Sequence, residues 1–109
     1  MTHRVTFTHT RPNSDTQFYA ISENNVDRPT DADSHDDLMA LLSAAQADGR
    51  IESISGNLDG NTFTGIINYR DADAAATVQN DPATASYDTA LAAYNAENGI
   101  TVTAVEETV

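Results

Sequence analysis

The chain has no cysteine, no lysine and no tryptophan, and each absence removes a class of answer. Without thiols there is neither a disulfide framework nor thiolate metal or nucleophile chemistry. Without lysine, positive charge rests on Arg4, Arg11, Arg28, Arg50 and Arg70 alone, set against 17 acidic residues for a formal net charge of -12. That sign repels phosphates and anionic headgroups, so neither a nucleic acid nor a membrane is expected as partner. Aromatics are sparse, with 4 Tyr and 3 Phe, so the core has to be built mainly from Ala, Val, Ile and Leu. No apolar run approaches the roughly 20 residues that a spanning helix needs. Met1 to Val5 leads straight into polar and apolar alternation, so neither a signal peptide nor a transmembrane segment is expected.

What is present is patterned for one small domain. A chain of 109 residues can close one hydrophobic core and not two, so residues 1–109 are read as a single α+β domain. Residues 3–10 alternate, with Val5, Phe7 and His9 on one face and Arg4, Thr6, Thr8 and Thr10 on the other, at the period of a half-buried strand. Arg11 to Asp15 breaks the pattern with turn formers. The apolar patch from Phe18 to Ile21 reads as an extended segment leaning on a sheet edge, and the acidic stretch over 22–34 as an exposed loop.

Ser34, followed by Asp36 and Asp37, supplies a capping hydroxyl and acids suited to a helix N-terminus. Leu38, Leu41, Leu42 and Ala45 then recur at helical spacing and Gly49 supplies the stop, which predicts a helix over 35–48. Ile51 to Leu58 is an irregular strand in which Gly56 invites a bulge. Asp59 and Gly60 signal a hairpin returning over 61–70. Residues 71–80 suit one or two helical turns, and Asp81 with Pro82 opens a further helix whose face is Tyr87, Ala90, Leu91, Tyr94 and Asn98, ended by Gly99. A β-branched run over 100–105 follows. The order is that of a ferredoxin-like β-α-β-β-α-β fold, a four-stranded antiparallel sheet with two helices on one face. An exposed apolar face on such a sheet invites association, so a homo-oligomer is expected.

Three constellations bear on chemistry. His9 shares a face with Val5 and Phe7, where a base or ligand would sit, although a strand-end histidine bonded to backbone looks the same in sequence. The stretch Asp31 to Asp37 opens like a calcium loop, but Asp36 stands where the turn needs Gly and Leu42 where the loop needs a carboxylate, so no metal site is assigned. Tyr19, Tyr69, Tyr87 and Tyr94 could line a ligand cavity between helices and sheet, with Arg70 or Asn68 as polar anchors, or simply fill the core. No phosphate-binding loop, nucleophile elbow or zinc-binding helix occurs, so no catalytic, cofactor-binding or metal residue is assigned and no cofactor is expected.

The segments His9 to Tyr19 and Tyr94 to Ile100 resemble those of small proteins from marine tailed phages that infect cyanobacteria. That resemblance implies a non-enzymatic virion component, found in the virion or in host cytoplasm during assembly, that binds copies of itself or other virion proteins. A lysine-free acidic surface suits a saline medium. The element order, with Tyr87 and Tyr94 on a helix before the last strand, also resembles the dimeric α+β barrel family of antibiotic-biosynthesis-type monooxygenases and haem-degrading enzymes. It implies the alternative, a small-molecule monooxygenase-like enzyme or ligand-binding protein. Haem-degrading members commonly use Trp, which is absent here.

Overall fold

A computed structural model describes residues 1–19 and 32–109. Strand β1 (His3–Thr10) is followed by α1 (Ala32–Ala47), the hairpin β2 (Ile51–Asp59) and β3 (Thr62–Tyr69), helices α2 (Ala72–Gln79) and α3 (Pro82–Asn98), and β4 (Thr101–Thr108). The strands form one antiparallel sheet in the order β2-β3-β1-β4. Both the ferredoxin-like order and the sheet are as the sequence predicts. Among the described residues the helices number three, because the stretch after Tyr69 is a full eight-residue helix of its own. Asp71 caps it by accepting a hydrogen bond from the Ala74 N–H at 2.8 Å. Asp81 caps α3 through the Ala83 N–H at 2.9 Å, and Gly99, with φ of 69°, ends it in the left-handed conformation.

Other boundaries are corrected. Helix α1 begins at Ala32, so Ser34 lies inside its first turn and the predicted loop over 22–34 overlaps the helix at its end. The remainder of that loop, and Ala20 and Ile21 of the predicted extended segment, lie outside the described residues. The bulge in β2 falls at Glu52, not Gly56: Ile51 pairs with Tyr69 and Ser53 with Asn68. One extra residue rotates the strand by half a period, bringing Ile51 and Ile54 to the same face although they are three apart.

All three helices cover the face that carries Val5, Phe7 and His9. The core sits at one end of it, where Val5, Ile51 and Tyr69 of the sheet meet Ala45 of α1 and Ala74, Ala75 and Val78 of α2. The small alanines let the helices approach closely. At the far end, Arg11 is only 7% exposed and fastens the chain after β1 to the hairpin. Its Nη2 donates to the Gly60 carbonyl at 2.9 Å, its Nε to Asn61 Oδ1 at 3.2 Å, and its guanidinium lies 4.8 Å from the Phe18 ring centroid.

The helix-free face does not match the apolar surface expected from the element order. Register puts Thr6, Thr8, Thr10, Thr62, Thr64, Thr101 and Thr103 there, together with Ser53, Ser55 and Asn57. Ile66 and Val105, both opposite Thr6, are its apolar side chains on the inner strands and β4.

Candidate functional site

The middle of the covered sheet face is short of side chains, and the register says why. One row across the sheet reads Gly56, Gly65, Phe7, Ala104, so three of its four positions offer at most a methyl group. Only the Phe63 ring leans into that gap: a Cβ on Gly56 would lie 2.7 Å from Phe63 Cζ. Helix α3 packs chiefly on α1. What remains between sheet and helices is a cavity of about 640 Å³, well within the range of small-molecule sites. Its floor is Val5, Phe7, His9, Phe63 and Ile67; its roof is Leu38 and Leu42 of α1 with Tyr87, Leu91 and Asn95 of α3; Val102, Ala104 and Glu106 of β4 border it. Every residue of β4 is exposed, so the cavity opens to solvent on that side.

The polar groups in this apolar chamber are few. His9, on the floor, meets the Phe63 ring edge-on with centroids 5.9 Å apart. Burial pushes its pKa below the ordinary imidazole value, since a charged ring would lose its hydration there. His9 is therefore neutral at pH 7, with a ring nitrogen able to accept a proton. Burial likewise raises the Tyr69 phenol to about 12, with the nearby Glu106 charge adding to the effect, and raises Tyr87 to about 12. Both stay protonated at neutral pH. Asp88 belongs to an exposed position on α3, yet the cavity wall beside its carboxyl raises its pKa.

Glu106 is held differently. Hydrogen bonds of 3.1 Å from His3 Nε2 and from Gln79 Nε2 converge on its Oε1, and they keep its carboxyl below the usual range. This arrangement ties β4 to β1 and α2 at the border of the cavity. Asn95 is 7% exposed and its Oδ1 is buried without a hydrogen-bond partner among the described residues.

The sequence left the tyrosines open between cavity lining and core filling, and the structure shows both: Tyr19, Tyr69 and Tyr87 border the cavity, Tyr69 is also part of the buried core, and the Tyr19 and Tyr87 rings lie 5.6 Å apart. Tyr94 contacts Tyr19 but spends its hydroxyl on the Gln17 carbonyl at 2.6 Å, a structural tie. Arg70 and Asn68 are not anchors. Arg70 is exposed and paired with Asp71 at 3.3 Å, while Asn68 lies on the other face, bonded by Arg4 Nε at 2.9 Å. His9 belongs to the cavity and not to a backbone-bonded strand end. Asp88 and Asn95 were missed, although the spacing Thr84, Asp88, Leu91, Asn95 marks one stripe of α3. Among the described residues there is no cluster of three or more metal-ligating side chains; Asp31 and the side chain of Asp33 lie outside that description.

No family model matches the sequence, and no curated protein matches it. Solved structures do match in fold. A variant of SnoaB, a cofactor-independent oxygenase from Streptomyces nogalater, superposes with a TM-score of 0.61 at 13% identity, over 99% of this chain and 92% of the other. A putative antibiotic biosynthesis monooxygenase from Nitrosomonas europaea gives 0.57 at 9% identity over 98% and 89%. One from Deinococcus radiodurans gives 0.54 at 12% identity over 98% and 93%. The chain thus shares the ferredoxin-like α+β fold of these proteins. These matches overturn the expectation of a non-enzymatic virion component, and no phage relative emerges to support virion partners or a virion location. Among the described residues no helix is long and apolar enough to cross a membrane.

Proposed function

We propose that this single 109-residue domain is a small-molecule oxygenase that needs no cofactor of its own, with His9 as its proton acceptor. The observation that carries the reading is the cavity of about 640 Å³ with a neutral imidazole in an otherwise apolar floor. A general base works best when its pKa lies near the working pH, where its free form is present and still accepts a proton. Molecular oxygen needs an electron donor, and in a reaction that uses no cofactor the substrate is that donor. A carbon acid flanked by aromatic or carbonyl groups meets the need. His9 takes its proton, the carbanion's electrons reduce O2, and overall a CH2 group and O2 become C=O and H2O. The tyrosine-lined walls suit a flat aromatic molecule, and apolar surroundings keep water from the carbanion.

Oxygen uptake with activated aromatic ketones and hydroquinones, alone and after His9→Ala, tests this. Loss of the general base should lower kcat by about 10²-fold or more while ligand binding persists. Turnover unaffected by the substitution would remove His9 from the role, and binding without any turnover would favour a small-ligand carrier in the same cavity.

The same reading includes a homo-oligomer. Val102 and Val105 of β4 are 38% and 61% exposed, and an edge strand in that state gains from a second copy laid against it. Light scattering coupled to size-exclusion chromatography should give twice the 11.7 kDa chain mass or a multiple of it; a monomer at micromolar concentration would count against this part.

A further inference from the structure

The cavity is polarised along its length, and the strand register sets the scale. His9 stands opposite Val102, and Val5, four residues back along β1, stands opposite Glu106. All four border the cavity, so its floor runs about 13 Å from the His9 end to the Glu106 end. The imidazole at the first end is neutral at pH 7. At the other end Glu106 is joined by Asp88 of α3, and their charges reach a common group: both act on the Tyr69 phenol, and Asp88 acts also on Tyr87. Glu106 spends its Oε1 on His3 and Gln79. Asp88 has no hydrogen bond or ion pair among the described residues, while the cavity wall strips part of the water from its carboxyl. No Arg borders the cavity and the chain has no Lys, so the negative charge at this end faces no permanent cation.

We infer that this end of the cavity takes the ammonium group of a cationic aromatic ligand, with Asp88 as counter-ion and specificity-determining residue. The inference rests on the cavity reading above and adds to it the charge the ligand carries and the end at which it carries it. An ammonium there meets a carboxylate partly shielded from water, where a pair of unit charges attracts more strongly than in bulk solvent. An anion of the same shape is repelled, and a neutral analogue gains nothing from the charge. The placement also suits the base: a cation close to His9 would oppose the charge His9 acquires with its proton, and the length of the floor keeps the two apart.

Three probes on one ring system isolate the charge: 1-naphthylmethylamine, 1-naphthylmethanol and 1-naphthoate, each titrated calorimetrically at pH 7 against the full chain. The amine should bind tightest, by about tenfold over the alcohol, and the naphthoate weakest. Asp88→Asn should erase most of the amine's advantage and leave the alcohol's affinity unchanged. Glu97→Gln removes an exposed carboxyl on the same helix outside the cavity and should erase none of it, which separates a local counter-ion from the field of the whole acidic chain. Where Asp88→Asn does not fold, the side-chain carboxyl carbon NMR signal of Asp88 in the unaltered protein decides, moving with the amine and not with the alcohol. Equal binding of amine and alcohol, an advantage that survives Asp88→Asn or falls equally in Glu97→Gln, or an Asp88 signal indifferent to the amine overturns the inference and leaves the cavity reading standing. Failure of all three probes to bind overturns both.

Discussion

His9 couples the site to stability in a direction that can be checked. Its folded-state pKa lies below the ordinary 6.5, so on lowering the pH the unfolded chain takes up this proton first. The stability it contributes is full above about pH 6.5 and is lost as the pH falls through the folded value. Melting temperatures recorded from pH 8 to 5 should decline, and His9→Leu should flatten part of that slope. Asp88 works in the opposite sense, because its raised pKa favours the neutral form: its share is full below the ordinary 3.8 and is lost as pH rises. Neighbouring α1 supplies a contrast in packing. Ala45 is fully buried, but Leu42 is only partly so because it faces the cavity. Leu42→Ala should therefore cost about 1 to 2 kcal/mol by denaturant melts, below the 2 to 5 of a fully packed leucine, since the truncation enlarges an existing space.

At the level of elements, the β2–β3 hairpin shapes the cavity as much as the helices do. Replacing Gly56 by Ala sets a methyl group against the far end of the Phe63 ring, which would turn further into the cavity it borders. Gly56→Ala should thus leave the melting temperature within a few degrees while weakening ligand binding, and a large stability loss with binding intact would contradict that picture. Much of this level was legible. Alternation in residues 3–10, the Asp81-Pro82 start and the Gly99 stop each act through local sterics or capping, which sequence carries directly. The hairpin turn shifted by one residue, because Gly60, with φ of 59°, takes the first central position and Asn61 the second. The Glu52 bulge was not legible, since it is settled by pairing with β3. Nor was the row of Gly56, Gly65 and Ala104, which is a row only once three strands are in register. Asn95 escaped for a related reason: helical spacing identified Tyr87, Leu91 and Tyr94 as an inward face, and a polar residue one step away looked outward.

Over the whole molecule, net charge sets the response to salt. With -12 on so small a domain, self-repulsion opposes compactness, and counterions screen it beyond a Debye length of about 8 Å at physiological ionic strength. Unfolding midpoints should rise between low and seawater-like chloride; a flat trend would mean that pairs such as Asp48 with Arg50, at 2.9 Å, already absorb the repulsion.

The placement of the core has a further consequence for motion. Val5, Ile51, Tyr69 and the α2 alanines are packed at one end of the sheet, while the middle of the same face is roofed across empty space. Such a molecule is stiff at that end and softer around the cavity, because local opening is cheap where few apolar contacts must be broken. Amide protons around Val5 and Tyr69 should exchange only on global unfolding, and those around Phe63 and Leu91 through local opening. A molecule that fills the cavity would remove that gradient, so the slowing of exchange around the cavity becomes a direct measure of occupancy, independent of any chemistry performed there.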